Sequence, residues 1–390
     1  MLKKDVMTKD EITLCWKAFA AFLLMMVAIC LSVLTSCSNE DELFERETTE
    51  ALPSVISEDR TLYANVEYLL SKPVFVINGA TLTIQQGALL KALPALGQGK
   101  TALVITKGCR IVANGTENAP IIMTALVKEP GSWDGVIVLG KAPVSYKGET
   151  LYSGVTGVDI SYGGSEEEDD SGSLRFVRVE YAGASGGAVT FDGVGRGTTI
   201  DHCQSYYSGS DGFMFNGGTV NARYLISTGA SRNGLCFNEG YTGKLQYVMA
   251  TAPTPKSVWS VVSCNGNDEN EEVAFYTHPV IANLSTTHTN KPHGQRYPIA
   301  VSARSRLTLI NSGTREAVAD DDISLQLIGG QPEALPGMDY ILINATDEIS
   351  TLTPDKFVLD VFFERTDYEG AVAPDMGKRD WTQTGWVKRK

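Results

Sequence analysis

Three pentapeptides in the middle of the chain repeat one another at nearly constant spacing. Gly187-Ala188-Val189-Thr190-Phe191 returns 25 residues on as Gly212-Phe213-Met214-Phe215-Asn216, and after a further 22 as Gly234-Leu235-Cys236-Phe237-Asn238. A second set of runs alternates with them: Val177–Tyr181, His202–Tyr206, Ala222–Ile226 and Leu245–Met249. A period of about 20–25 residues holding two or more short strands is the mark of a solenoid. Coils of a β-solenoid stack about 4.8 Å apart, so residues one period apart become neighbours. The spacing therefore predicts an interior ladder, Phe213 over Leu235 and Phe215 over Phe237, with Met214 and Cys236 pointing outward. A sandwich of hairpins would instead show strands every 8–12 residues or so, joined by Asn-Gly or Asp-Gly turns. It does not predict a recurring pentapeptide.

The rest of the body fits the same reading. From Val74 onward come short β-branched runs broken by Gly and Asn: Val74–Ile77, Thr81–Ile84, Ala102–Thr106, Ile121–Thr124 and Val136–Leu139. No stretch after residue 70 keeps a helical apolar period for three turns, and the spacing is too short for crossover helices. The 38 glycines supply the sharp turns between faces. The rhythm weakens over 253–297, which reads as an irregular lateral insert. That insert gathers Trp259, Tyr276, His278, His288, His293 and Arg296, and long irregular loops beside a regular scaffold are commonly functional.

The N-terminus gives an address. Lys3, Lys4, Lys9 and Lys17 precede a charge-free run, Ala18–Leu34, and Leu34-Thr35-Ser36-Cys37 closes it. A branched apolar residue, two small ones and a Cys resemble the bacterial lipobox. The resemblance implies a signal peptide over 1–36 and a lipid on Cys37, although Asp5, Asp10 and Glu11 are unusual so early. Ser38-Asn39-Glu40-Asp41-Glu42 resembles the surface-export signal of Bacteroidetes-type lipoproteins. The expected organisation is an acidic tether over 37–70 and one β domain over 71–390, held at the outer membrane and facing outward. A net charge of −13 and a pI near 4.9 argue against nucleic acid as a partner.

Within the domain several segments carry a family resemblance. Gly79-Ala80-Thr81-Leu82-Thr83-Ile84-Gln85-Gln86-Gly87 looks like the opening coil of right-handed parallel β-helices of the pectin-lyase-like type. Asn114-Gly115-Thr116-Glu117-Asn118-Ala119-Pro120-Ile121-Ile122 and Trp133-Asp134-Gly135-Val136-Ile137-Val138-Leu139-Gly140 resemble a turn and strands of the same group. Asp367-Tyr368-Glu369-Gly370-Ala371 and Trp381-Thr382-Gln383-Thr384-Gly385-Trp386 fit its C-terminal end. The resemblance implies an all-β fold, a right-handed parallel β-helix with coils of 22–25 residues, and no particular activity.

Candidate chemistry is sparse. β-Helix lyases use acidic calcium ligands with an Arg or Lys base, and β-helix hydrolases use clustered Asp carboxylates. Asp211 and Asn233 precede two of the repeated glycines and should stack, a pattern that suits an Asx ladder satisfying turn amides. The resemblance implies acids at or near the slots where this chain has Ser210, Met214, Asn233, Cys236 and Asn238. Asp211 and Glu239 remain as ligands for at most weak calcium binding, and no cofactor is expected. Asp201 and His202 are adjacent on a strand, where alternation sends them to opposite faces. Glu166–Asp170 and Asp320–Asp322 read as solvated acidic loops. The histidines lack the spacing of a zinc site, and no catalytic motif occurs. Cys109, Cys203, Cys236 and Cys264 form no CxxC pair. Cys109 and Cys203 read as buried thiols, with disulfides left open. The predicted ligand site joins Asp211, Asn233 and Glu239 with Trp259, Tyr276 and His278. The expected role is non-catalytic: binding a polysaccharide or a surface partner, or adhesion. A polysaccharide lyase or glycoside hydrolase is the alternative, and a purely structural surface component a third reading.

Overall fold

The computed structural model describes residues 46–94, 100–145, 158–252, 261–266, 275–288, 299–302, 305–314, 325–328, 339–343, 361–366, 368, 370–374 and 380–389. In chain order the strands are β1 (Thr48–Ala51), β2 (Val55–Ile56), β3 (Arg60–Leu62), β4 (Val66–Leu70), β5 (Val74–Val76), β6 (Thr81–Ile84), β7 (Leu89–Ala92) and β8 (Ala102–Ile105). Next come β9 (Arg110–Asn114), β10 (Ile121–Ala125), β11 (Gly135–Leu139), β12 (Gly172–Glu180), β13 (Gly187–Asp192), β14 (Thr199–Tyr206), β15 (Asp211–Asn216), β16 (Asn221–Thr228) and β17 (Leu235–Asn238). The last are β18 (Lys244–Ala252), β19 (Val262–Cys264), β20 (Val280–His288), β21 (Ile299–Ser302), β22 (Arg306–Ile310), β23 (Gly313–Thr314), β24 (Leu325–Ile328) and β25 (Asp339–Ile343).

These strands pair in parallel with their counterparts in the coils before and after. One sheet runs β2-β5-β8-β11-β13-β15-β17-β19-β21-β24 and the other β1-β4-β7-β10-β12-β14-β16-β18-β20-β22-β25, with β3-β6-β9 joining at β12. Strand twist closes such parallel connections right-handed, and the molecule is a right-handed parallel β-helix. Early coils carry three short strands. From β12 onward two of them fuse into one bent strand: Gly172–Arg175 pairs with β9, Val177–Val179 pairs with β10, and Phe176 between them takes a φ of 49°.

The interior is built of columns one coil apart. Val76, Ile105, Val138, Phe191, Phe215, Phe237 and Cys264 stack in successive coils, all buried. Phe191, Phe215 and Phe237 lie face to face, with centroids 5.2 Å apart at each step. Beside them run Val74, Leu103, Val136, Val189, Phe213, Leu235, Val262 and Ile299. Each such side chain contributes roughly 1.5–3 kcal/mol by leaving water. Outside the early coils, Phe75, Val104 and Ile137 form a second cluster covered by Val158, Ile160 and Tyr162, so this stretch of sheet is apolar on both faces. The cysteines are free and buried among the described residues. Burial pushes the Cys203 and Cys264 thiols up to about 12.

Four expectations need correction. Gly187 pairs with Asp211, not Gly212, so the first repeat is offset by one residue from the glycine match. The apolar period decides, because a slip of one would send Phe213 and Phe215 outward. The acidic tether does not extend to 70, since β1 to β4 already belong to the coils. Within 253–297, β19 and β20 are regular rungs of the two sheets rather than parts of an irregular insert. Asp201 and His202 do not face apart: His202 has a φ of 52°, the bend breaks alternation, and its Nδ1 meets the Asp201 carboxylate.

Candidate ligand-binding site

The expected site residues occupy two separate places. Asp211 and Asn233 sit at the N-terminal ends of neighbouring rungs. Asp211 is fully buried, and one carboxylate oxygen accepts from Asn233 N at 3.0 Å, Asn233 Nδ2 at 2.9 Å and Arg232 Nε at 2.8 Å. The other oxygen meets Arg232 Nη2. The carboxylate thus satisfies turn amides and a guanidinium. Glu239 follows the opposite end of β17, six residues beyond Asn233, which is about 20 Å of extended chain. There it accepts from the Tyr162 hydroxyl at 2.7 Å, and burial pushes its carboxyl above the usual range. Tyr276 and His278 lie near that second corner: Gly240 N donates to Thr277 Oγ1 at 2.9 Å and His278 N to Tyr241 O at 2.7 Å. His278 Nε2 lies 3.0 Å from Thr308 Oγ1, and the Arg306 guanidinium covers the Tyr276 ring at 5.8 Å. Trp259 is outside the described residues. Among the described residues, no three His, Cys, Asp or Glu side chains group as metal ligands.

A different set of residues forms a site. The bend that fuses two strands into one recurs in β12, β14, β16 and β18, at Phe176, His202, Tyr224 and Tyr247, with φ between 49° and 59°. Bulky residues rarely adopt this left-handed conformation, and here the stacking of coils holds it. Their rings pile into an outer aromatic column with successive centroid separations of 4.4, 4.2 and 4.8 Å. In the next coils the bend falls on Asn283 and Asn311.

The described residues among 361–389 lie along this column as a strap. Side-chain amides clip its backbone. Gln246 Nε2 donates to Glu364 O at 2.7 Å while its Oε1 accepts from Glu364 N at 2.8 Å. Gln204 holds Lys388 in the same two-way fashion, at 3.0 and 2.8 Å. Asn283 and Asn311 donate to the carbonyls of Tyr368 and Thr366, and Ser285 Oγ accepts from Ala371 N. At the far end, Lys388 Nζ reaches the buried Glu180 at 3.1 Å, where Arg178 Nε and Thr124 Oγ1 also bind that carboxylate. Trp381 and Trp386 stand edge-on against the column, 5.2 Å from Tyr224 and 5.6 Å from His202 respectively. Asp380 caps the turn that carries Trp381 by accepting from Thr382 N at 2.9 Å.

Between column and strap lies a cavity of about 310 Å³ lined by His202, Tyr224, Tyr247, Glu364, Tyr368 and Trp381, with Ala371, Val372 and Ala373. That is the lower end of the usual range for a small-ligand site, and the lining mixes aromatic rings with a carboxylate, an imidazole and phenol hydroxyls. Glu364 accepts from Arg223 Nη1 at 3.1 Å and from Tyr247 Oη at 3.0 Å. Burial first, then the Glu364 and Asp201 carboxylates, pushes the Tyr224 phenol up to about 12. Tyr247 is raised too, by burial and then by Tyr368 and Glu364. Both phenols therefore stay protonated at neutral pH and act as hydrogen-bonding groups rather than as bases.

Comparison of the sequence with known families agrees with these stacked parallel coils. Residues 54–321, more than half of the 390-residue chain, match the family described as pectate-lyase like beta helix domain. The chain belongs to this family. It matches no curated protein and no solved structure. The family match ends before residue 361, so the strap and the cavity wall it supplies lie beyond it. Sequence reasoning missed this pocket because His202 reads as an ordinary strand residue. The signal was present: Phe176, His202, Tyr224 and Tyr247 recur at offsets of 26, 22 and 23 residues.

Proposed function

We propose that this β-helix is a lipid-anchored protein of the cell surface that binds a glycan, without cleaving it, in the cavity between the aromatic column and the C-terminal strap. One observation carries the reading: a cavity of about 310 Å³ walled by tyrosine and tryptophan rings with a positioned carboxylate. Aromatic rings cover the apolar faces of sugars, and fixed polar groups at their rims take the hydroxyls.

The family's description names pectate lyase, which favours polysaccharide cleavage as the second reading. A β-helix lyase uses several acidic calcium ligands with an Arg or Lys base, and the cavity's described lining residues hold one carboxylate and neither Arg nor Lys. A hydrolase needs two carboxyl groups facing one another about 5–9.5 Å apart, and Glu364 is the one carboxylate among the cavity's described lining residues.

The address rests on the sequence alone. The lipobox-like Leu34-Thr35-Ser36-Cys37 and the acidic run after it support anchoring and export, and more than one acyl chain gives stable attachment. Labelling with a fatty acid should mark the wild type and spare Cys37→Ala. A glycan array probed with the full-length protein in mild detergent, run beside an unsaturated-uronate assay, separates the two readings. Binding without product supports the proposal, and product formation refutes it.

A further inference from the structure

We infer that the cavity under the strap sorts glycans by charge, accepting sugars that carry no carboxylate and turning away polyuronates. This rests on the glycan-binding reading above and names the class of glycan. The groups that meet a ligand are acceptor-rich and negative. Glu364 is the one carboxylate among the cavity's described lining residues, and its side chain is 52% exposed. An ionised carboxylate offers about four lone-pair positions. Arg223 fills one on Oε1 and Tyr247 one on Oε2, so the remainder suits the hydroxyl protons of a neutral sugar. A uronate would bring a second carboxylate to the same place.

No Lys or Arg is among the described lining residues, and Glu364 is paired from beside the cavity by Arg223 at 3.1 Å, which offsets part of its charge. Arg223 is turned to Glu364 and the strap: Nη1 holds Glu364, Nη2 meets Phe362 O, the guanidinium lies 4.7 Å over the Phe362 ring, and Nε is buried. Asp201, next to the lining residue His202, adds a further negative charge. Burial raises the Tyr224 hydroxyl most, the Glu364 and Asp201 carboxylates raise it further, and Arg223 lowers it, so both signs of charge reach this wall. A second carboxylate brought against this half-exposed, ion-paired one weakens binding by a solvent-screened repulsion, and salt relieves part of the effect. The chain's −13 net charge works in the same direction at longer range.

The test titrates the full-length protein in mild detergent with neutral hexasaccharides of β-1,4-linked glucose, mannose and xylose, and with the galacturonate hexamer. Tryptophan fluorescence serves as the signal because Trp381 lines the cavity. At low salt at least one neutral hexamer should bind about tenfold or more tightly than galacturonate. The gap should narrow both in high salt and in Glu364→Gln. Galacturonate binding as tightly as the best neutral hexamer overturns the charge sorting and leaves the glycan reading standing. A gap that Glu364→Gln leaves unchanged overturns it as well. Silence from all four hexamers overturns both the sorting and the reading beneath it.

Discussion

Replacing Phe215 by Ala tests the solenoid's interior at its centre. Phe215 is fully buried, with Phe191 and Phe237 stacked on either side at 5.2 Å and Tyr241 leaning on it at 4.9 Å. Phe→Ala in a close-packed core costs about 3–5 kcal/mol, as transfer energy plus the void left behind. Each aromatic pair adds about 0.5–1.5 kcal/mol beyond burial. The substitution leaves Phe191, Phe237 and Tyr241 each facing a void, so the cost belongs at the upper end, about 5 kcal/mol. The adjacent Met214 pairs with Thr190 and Cys236 in the outward row and is only half-buried. Met214→Ala should therefore cost under about 1 kcal/mol. Urea denaturation followed by tryptophan fluorescence reads both, as midpoint shifts at unchanged slope. Equal shifts, or a larger one for Met214→Ala, would refute the inward placement and with it the register Phe191-Phe215-Phe237.

Four further outcomes are expected. Asp211→Asn leaves Arg232 without its anion and weakens the acceptor for Asn233, so it should cost about 1–3 kcal/mol, while glycan binding by the wild type is unchanged by a chelator in calorimetry. Glu239 has its folded pKa raised by burial above the ordinary 4.5. A raised carboxyl stabilises the fold while protonated and loses that contribution as pH rises through the folded value. Glu239→Gln should then stabilise the protein at neutral pH and show no gain below the ordinary value, as thermal melts across pH would report. Gln246→Ala removes both bonds to the Glu364 backbone, each contributing about 1 kcal/mol net. Hydrogen exchange of the strap amides should accelerate roughly thirtyfold while the interior rungs are unaffected.

The sequence made the architecture plain where side chains alternate and recur. Phe213 and Phe215 over Leu235 and Phe237 follow from period two within a strand and a repeat of 22 between strands. The glycine match failed at Gly187 because a turn glycine has no side chain to fix register, whereas Val189 and Phe191 must face the core. The first coils were lost to an apparent tether, since the four residues of β1, Thr48, Thr49, Glu50 and Ala51, are all exposed and read as linker. The site was harder to see. Its column depends on a left-handed residue in the middle of each long strand, and alternation arguments assume that no such residue exists. Trp381 and Trp386 stood out as a motif, but nothing local in the sequence says that Gln204, Gln246, Asn283 and Asn311 clip the backbone of that distant segment.

The most direct test of the account is hydrogen exchange mapped by mass spectrometry on the full-length protein, with and without the tightest-binding array glycan. The cavity between column and strap requires protection to appear together in peptides spanning 199–228 and 361–389. Protection confined to the Asp211–Asn233 turns or to the corner of Glu239, Tyr276 and His278, with the strap unchanged, would contradict it.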